Sequence, residues 1–273
     1  MKLVQYGPAG KEKPGVIDQD GILRDISSIT ARITGKTLTP AVLNEIRNTD
    51  LKRQPQVLGS PRLGPCVSQL KKFICIGLSN NVRQADKPYI TPIEPVVFNP
   101  YSNAEAGIDC PLLLTRSFTE TWETDLAVVI GRAGRYIAEQ FALEHIAGYC
   151  TLSNTADADE PEPAWQETKI HYGHSTVGPC LVTTDELIEP QQLEVSLEFA
   201  NRHQQICESM QLTVAKVISY LSYHMTLRPG DLISVGKISR IDLQGDEDTP
   251  CLPGFHLSMD NHILEMMACQ EFI

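Results

Sequence analysis

Short apolar runs separated by polar, Gly-rich or Pro-rich stretches dominate the chain, a pattern typical of strands joined by turns and loops. The runs that predict strands lie at 15–18, 21–26, 73–77, 95–98, 111–114, 125–130 and 232–236. The first two flank Asp20–Gly21, a dipeptide that favours a hairpin turn. A turn predicted at 228–231 precedes the last run, so most of the chain is predicted to be β.

Three segments carry helical patterns instead. Thr39 and Pro40 provide an N-cap and a first-turn proline for a helix over 40–48. A second helix is predicted at 138–147, where helix-forming residues are dense. A third is predicted at 213–225, because its apolar residues recur every three to four positions behind a threonine cap. That apolar stripe indicates a helix packed on the core.

The chain divides near residue 70. Residues 1–65 predict a small α/β domain that ends in a Gly- and Pro-rich loop at 59–65. Residues 72–273 predict a larger domain of apolar strands and long polar loops. The predicted fold class is therefore mostly β with α (α+β).

The numbers of charged residues and cysteines and the lengths of the apolar runs restrict the class of protein further. With 34 acidic and 23 basic residues the net charge is -11, and there is no basic stripe, so nucleic acid is excluded as a partner. No apolar run approaches the roughly 18 to 20 residues of a membrane span, and the first residues lack the apolar core of a signal peptide. We expect a cytoplasmic protein without membrane attachment. The eight cysteines include no C-x-x-C pair, which favours reduced, packed thiols over disulfides or a zinc site.

Two carboxylates, Glu123 and Asp125, lie at the start of the strand predicted at 125–130. Residues i and i+2 of a strand point to the same face, so these two acids would project together. Mg²⁺ prefers oxygen ligands and is commonly held by a few carboxylates, with water or substrate filling the other positions. The pair alone also fits a solvated strand end that happens to carry two acids.

The order of motifs along the chain resembles the fumarylacetoacetate hydrolase family. The motifs that carry the resemblance are Gly77–Leu78, Glu123–Thr124–Asp125, Gly148–Tyr149, Lys169, Gly178–Pro179 and the run from Met225 to Asp231. The likeness covers nearly the whole length, and the N-terminal segment resembles ureidoglycolate lyase-type members. It implies a β-roll core, a homodimer, and a divalent cation that helps to bind an oxo-acid and stabilise an enolate.

The resemblance also implies a ligand set. Glu123 and Asp125 become ligands for Mg²⁺, or for Mn²⁺ or Ca²⁺, and Asn154 stands where the family has its third carboxylate. An amide oxygen can bind these cations but adds no charge. A shifted loop would offer Asp157 or Asp159 instead, although the acidic run there also fits a solvated loop or lid.

Other family positions have changed. Arg83 and Asp86 stand where family hydrolases carry a water-activating His and Glu, and arginine cannot act as a base at neutral pH. Lys237 replaces a threonine of the strand that binds the substrate carboxylate, whereas Lys169 keeps the family lysine. Strand alternation would bring His171 into the site beside Lys169, although a lone histidine on a strand is also commonly structural.

These changes share a direction, because the hydrolytic pair is lost while positive charge is gained. The main hypothesis is an enzyme that stabilises the enolate of a 2-oxo or β-dicarbonyl acid without hydrolysis, by isomerisation, cyclisation or decarboxylation. Such a divergent site fits secondary metabolism. One alternative is an ordinary Mg-dependent C–C hydrolase or lyase with an acylpyruvate-like substrate, Asp157 as a metal ligand and His171 or His174 as base. Another is a catalytically silent scaffold protein.

Overall fold

The computed structural model describes the backbone of residues 1–78, 95–98, 105–106, 112–114, 118–157, 175–187, 195–199, 202–206, 213–245, 255–259, 262–266 and 270–272. In the long strands of the site, segments 118–123, 154–157 and 236–245 are described by their backbone alone. Within these ranges, no helix has both the length and the apolar character needed to cross a membrane.

The N-terminal segment forms an antiparallel ribbon and a short helix. Its strands are β1 (Lys2–Tyr6), β2 (Lys13–Ile17) and β3 (Leu23–Asp25), followed by α1 (Pro40–Asn48) and a 3₁₀ turn (Leu51–Arg53). The hairpin predicted around Asp20–Gly21 is confirmed, since β2 pairs with β3. The predicted helix is also confirmed, with Thr39 as its N-cap residue.

The remaining strands and one further helix follow in chain order. The middle strands are β4 (Phe73–Leu78), β5 (Pro95–Phe98), β6 (Glu105–Ala106), β7 (Leu112–Leu114), β8 (Phe118–Ile130), β9 (Ile146–Asp157), β10 (Ser175–Val177) and β11 (Leu181–Thr183). The last strands are β12 (Val195–Phe199), β13 (Arg202–Ile206), β14 (Leu232–Gly245), β15 (Phe255–Met259), β16 (His262–Met266) and β17 (Gln270–Phe272). Helix α2 (Val214–His224) precedes β14 and begins after the predicted Thr213 cap, whose hydroxyl accepts from the Lys216 N–H.

One large sheet organises the molecule. Its main path runs β3-β2-β1-β11-β9-β8-β14-β4-β5, with β10 and β6 attached beside β9. Strand β1 pairs with β11, so the N-terminal ribbon continues the sheet. A four-stranded sheet (β13-β12-β15-β16) and a β17-β7 pair complete the described strands. The domain boundary between 65 and 72 stays a prediction.

Apolar side chains cover both faces of the central strands. Leu126 and Val128 of β8 pack into one buried cluster with α2, while Ala127 and Val129 pack into a second with the N-terminal segment. Because both faces are buried, this part of β8 has a continuous apolar run instead of an alternating pattern.

The helix predicted at 138–147 is wrong in type and extent. A 3₁₀ helix spans Glu139–His145, and Ile146 already begins β9. The His145 carbonyl accepts from the backbone N–H groups of Gly131 and Arg132, at 2.8 and 3.1 Å. Those bonds hold the segment against the end of β8, so tertiary contacts override its helical propensity.

The predicted turn at 228–231 anchors the start of β14. Asp231 is fully buried, and its carboxylate accepts from the Lys72 ammonium and, at 2.7 Å, from the Arg228 N–H. Gly230 has a φ of 88°, and an added Cβ would lie 2.8 Å from the Gly35 Cα. Glycine is therefore required both by conformation and by the close approach of the N-terminal segment.

Four of the eight cysteines lie among the described residues, and all four are buried thiols: Cys66, Cys75, Cys150 and Cys180. Burial raises the pKa of the Cys180 thiol to about 12, so it is protonated at neutral pH. The prediction of packed, reduced thiols is confirmed for these four, and the other four lie outside the described residues.

Candidate metal centre and active site

The two acids and the asparagine of the predicted ligand set occupy neighbouring positions in the large sheet. Glu123 and Asp125 are two residues apart in β8, and Asn154 of β9 lies directly opposite Glu123 in the antiparallel register. Directly opposed residues and i, i+2 residues share a face of a sheet. The backbone therefore brings these three positions to one face.

Asp125 lies where the apolar core ends. It is only 5% exposed, and the next positions on its face, Ala127 and Val129, are fully buried core residues. Its carboxylate Oδ2 accepts a 2.6 Å hydrogen bond from the Ser234 hydroxyl of β14, which is also fully buried. A carboxylate in such surroundings depends on protein or ligand partners in place of water.

The opposite face of the same strands is lined by hydroxyl groups. The Thr124 and Ser153 hydroxyls lie 3.3 Å apart, and both residues are buried. Residue 157 belongs to β9, opposite Glu120, and three positions after Asn154 it falls on this hydroxyl face. The backbone register thus places residue 157 on the face opposite to that of Glu123 and Asp125, and the alternative with Asp157 as a ligand stays a prediction.

Strand β14 brings two basic residues into register with the acids. Its pairing with β8 shifts between Ser234 and Gly236 and again between Lys237 and Ser239, as at β-bulges. These shifts place Lys237 opposite Asp125 and Arg240 opposite Glu123. The predicted site residue Lys237 thus lies beside the predicted ligands along the backbone.

Sequence reasoning missed Ser234 and Arg240. A hydroxyl in the apolar run from Leu232 to Val235 was a signal for Ser234, because such a residue needs a partner when buried. No comparable signal existed for Arg240. Its alignment with Glu123 depends on two bulges, and strand alternation counted from the sequence does not show them.

The donor set of this face suits a hard divalent cation. Glu123, Asp125 and Asn154 offer two carboxylates and one amide oxygen, the ligand types that Mg²⁺, Mn²⁺ and Ca²⁺ accept. Among the described side chains no group of three or more His, Cys, Asp and Glu could hold a metal. Because an asparagine amide carries no charge, these three positions together supply at most two negative charges.

The other predicted site residues lie outside the described part of the chain, namely Arg83, Asp86, Lys169, His171 and the alternatives Asp159 and His174. Their roles stay predictions. A separate cavity of about 640 Å³ lies between the 3₁₀ helix and α2, lined by Glu139, Leu143 and Thr213 among others. Among the described residues that line it, none is a predicted site residue.

The fold is that of fumarylacetoacetate hydrolase-like proteins. A fumarylacetoacetate hydrolase from Exiguobacterium antarcticum matches 99% of this chain and 100% of its own, with a TM-score of 0.76 at 21% identity. Maleylpyruvate hydrolase from Sphingobium, solved with manganese(II) and pyruvate, covers 100% and 99% of the two chains, with a TM-score of 0.78 at 18% identity. A 5-carboxymethyl-2-hydroxymuconate delta-isomerase from Mycobacterium smegmatis covers 99% and 100%, with a TM-score of 0.71 at 20% identity.

Sequence comparison identifies the family itself. The model of the fumarylacetoacetate (FAA) hydrolase C-terminal domain matches residues 72–254. A Burkholderia lata protein is 38% identical over 242 residues, and a Burkholderia ambifaria protein 37%, with 86% of each chain covered. Both carry only the name "Putative hydrolase". This chain belongs to the fumarylacetoacetate hydrolase family, as its motifs predicted, and its predicted fold class is confirmed.

Proposed function

We propose that this protein is a divalent-cation-dependent enzyme that acts on an enolisable 2-oxo or β-dicarbonyl acid. The observation that carries the proposal is the register that puts Glu123 opposite Asn154, with buried Asp125 two residues along the same face. Burying a carboxylate at the end of an apolar core costs free energy, and a bound cation would offset that cost.

The predicted site residues would then have three tasks: to hold the cation, to stabilise the enolate and to bind the substrate carboxylate. Glu123, Asp125 and Asn154 would hold the cation through oxygen atoms, leaving other positions to water and substrate. When bound, it would supply a Lewis acid for the negative charge that develops on a carbonyl oxygen during enolisation. Lys169 steadies the same charge, and Lys237 or Arg83 binds the substrate carboxylate, since a cation there compensates an anionic substrate.

Reaction classes that need no activated water are favoured. Arg83 and Asp86 replace the His and Glu expected of a family hydrolase, and arginine stays protonated at neutral pH. Isomerisation, cyclisation and decarboxylation instead require charge stabilisation and a proton shuttle. An isomerase among the solved proteins of the same fold supports this choice.

A C–C bond hydrolase is the second candidate. It is favoured by the maleylpyruvate hydrolase of the same fold, solved with manganese and pyruvate, and by the hydrolase names of the Burkholderia relatives. In that case His171 or His174 would replace the missing water-activating pair, because histidine titrates near neutral pH.

Proton exchange tests the proposal without knowledge of the natural substrate. Protein stripped by a chelator and reloaded with Mg²⁺ or Mn²⁺ is incubated in D₂O with 2-oxo acids and acylpyruvates, and NMR follows both C3-proton exchange and C–C cleavage. We expect cation-dependent exchange that Glu123→Ala and Lys169→Ala reduce at least 100-fold. Lys216→Ala, an exposed lysine on α2, is the matched control and should leave exchange unchanged.

The outcomes separate the candidates. Exchange without cleavage supports the non-hydrolytic reaction, while rapid cleavage of acylpyruvates supports the hydrolase. Wild-type protein that binds the cation but produces neither exchange nor cleavage would contradict both, and would favour a catalytically silent protein.

A further inference from the structure

We infer that Ser234 is a positioning residue for the candidate metal centre: its hydroxyl fixes the Asp125 carboxylate in the orientation that binds the cation. The inference rests on the proposed function, because Asp125 must be a ligand for its orientation to matter. Nothing in the family motifs quoted above assigns a role to this position. The interaction itself lies entirely among described side chains.

The geometry of the contact is specific. Ser234 pairs in register with Ala127, so it lies diagonally across from Asp125 on the neighbouring strand. Its Oγ lies 2.6 Å from Asp125 Oδ2, near the short end of O–H···O distances. An ionised carboxylate only accepts hydrogen bonds, so the serine must donate.

Burial makes this hydrogen bond directional and strong. Ser234 is fully buried and Asp125 is 5% exposed, so little water competes for the carboxylate. Hydrogen bonds from a hydroxyl to a charged carboxylate are roughly twice as strong as neutral ones. The register shift after Ser234 also interrupts regular pairing at this point of β14, which fixes where the hydroxyl meets the acid.

Fixing the carboxylate matters because a ligand held in place before binding loses less conformational freedom when the cation arrives. Partners that hydrogen-bond to metal ligands typically change metal affinity by about 10- to 100-fold when they are removed. We therefore expect Ser234→Ala to weaken cation binding within that range, without abolishing it.

A purely structural role would give a different pattern. If Ser234 only satisfied a buried polar group, its loss would lower stability and leave the affinity of the folded protein unchanged. Ser222 provides the matched control, because it is another fully buried serine with two hydrogen bonds, from the Ile137 N–H and to the Ser219 carbonyl. It lies on α2, and neither contact involves a predicted ligand.

The test is Mn²⁺ binding followed by electron paramagnetic resonance, in which bound Mn²⁺ loses the sharp signal of the free ion. Wild type, Ser234→Ala, Ser234→Thr and Ser222→Ala are titrated after circular dichroism and thermal unfolding have shown that each is folded. We expect a 10- to 100-fold rise in Kd for Ser234→Ala. Ser234→Thr, which keeps the hydroxyl, should recover most of the affinity, and Ser222→Ala should match wild type.

Three results would overturn the inference, and they have different consequences for the proposed function. If wild type binds Mn²⁺ and Ser234→Ala binds it equally well, Ser234 does not position a ligand, and the proposed function stands. If folded wild type binds no Mn²⁺, the metal centre and the role of Ser234 fall together. An equal loss of affinity in Ser222→Ala would also count against the inference, since the effect would then be general loosening.

Discussion

Two buried aspartates on the β8–β14 strand pair, Asp231 just before β14 and Asp125 within β8, have different partners. Asp231, fully buried at the start of β14, accepts from the Lys72 ammonium and the Arg228 N–H. Asp125, 5% exposed, accepts from the neutral hydroxyl of Ser234. An ion pair with backbone support, as at Asp231, is typical of a structural acid, whereas the Ser234 hydroxyl orients the Asp125 carboxylate through a hydrogen bond to a charged group.

The two aspartates occupy parts of the sheet with different surroundings. The Asp231 contacts close the turn before β14 and join it to the chain preceding β4. Asp125 lies where the same strand pair leaves the core, next to positions that carry Glu123, Asn154 and Lys237. We therefore expect substitutions of the two acids to affect different properties.

The largest effect on stability is expected for Asp231→Asn. Removing one partner of a buried ion pair costs about 3 to 5 kcal/mol, and the lower end applies here because the Lys72 side chain is 27% exposed. Urea unfolding should therefore show a loss of about 3 kcal/mol. Lys71→Met, at an exposed neighbouring lysine, is the control and should change stability by no more than about 0.5 kcal/mol. A loss below about 1 kcal/mol for Asp231→Asn would show that its ion pair with Lys72 is not a main source of stability.

Asp125→Asn should give the opposite pattern. We expect Mn²⁺ affinity to fall at least 100-fold, because the change removes a charged ligand while keeping the shape of the side chain. Unfolding free energy should change by no more than about 1 kcal/mol, since an amide oxygen still accepts from Ser234 and functional acids are often costly to stability. Calorimetric titration and urea unfolding of the same samples measure both. Unchanged affinity, or a loss of stability equal to that of Asp231→Asn, would contradict the assignment.

A smaller loss of stability is expected from removing a single helix-capping contact that is remote from both aspartates. The Thr213 hydroxyl caps α2 by accepting from the Lys216 N–H at 3.2 Å, and Thr213→Ala should cost about 1 kcal/mol. Thr39 is the matched control, because it precedes α1 without a side-chain cap bond. Thermal unfolding should show the smaller loss for Thr39→Ala, and equal losses would mean that the cap bond is not the cause.

The smallest effect on stability is expected for Asp18→Asn, and only at acidic pH. Burial would raise the pKa of Asp18, but hydrogen bonds from the Ile22 N–H, the Arg24 guanidinium and the Asp20 N–H outweigh it and hold the pKa below its usual range. The stability from this depressed pKa is complete above the unfolded value near 4 and is lost as the pH falls through the folded value. Asp18→Asn should therefore flatten the dependence of unfolding free energy on pH below about 4. An unchanged slope would show that Asp18 does not contribute to it.

Much of the fold was predictable because it depends on local patterns. The Asp20–Gly21 hairpin, α1 after Thr39 and α2 after Thr213 follow from turn chemistry, capping and apolar spacing, and all three are confirmed. The segment 138–147 was not predictable in this way. Its helical propensity is overridden by hydrogen bonds from the Gly131 and Arg132 N–H groups to the His145 carbonyl, which join the end of this segment to the chain just after β8.

In the candidate site, too, some residues could be predicted from local patterns and others could not. That Glu123 and Asp125 share a face follows from strand alternation. Asn154 was found by counting from a family motif, and the register places it opposite Glu123. The contribution of β14 depends on two bulges, so Ser234 and Arg240 became visible only with the strand pairing. Local spacing therefore predicts which residues of one strand act together, while their partners on the next strand depend on register.

Anomalous X-ray diffraction from crystals soaked in Mn²⁺ would show whether Glu123, Asp125 and Asn154 form a metal centre, because it locates the ion. We predict one strong peak within bonding distance of oxygen atoms of Glu123, Asp125 and Asn154, and its loss in crystals of Asp125→Asn. No peak at these residues in crystals that bind Mn²⁺ elsewhere, or a peak that persists unchanged in Asp125→Asn, would contradict the account.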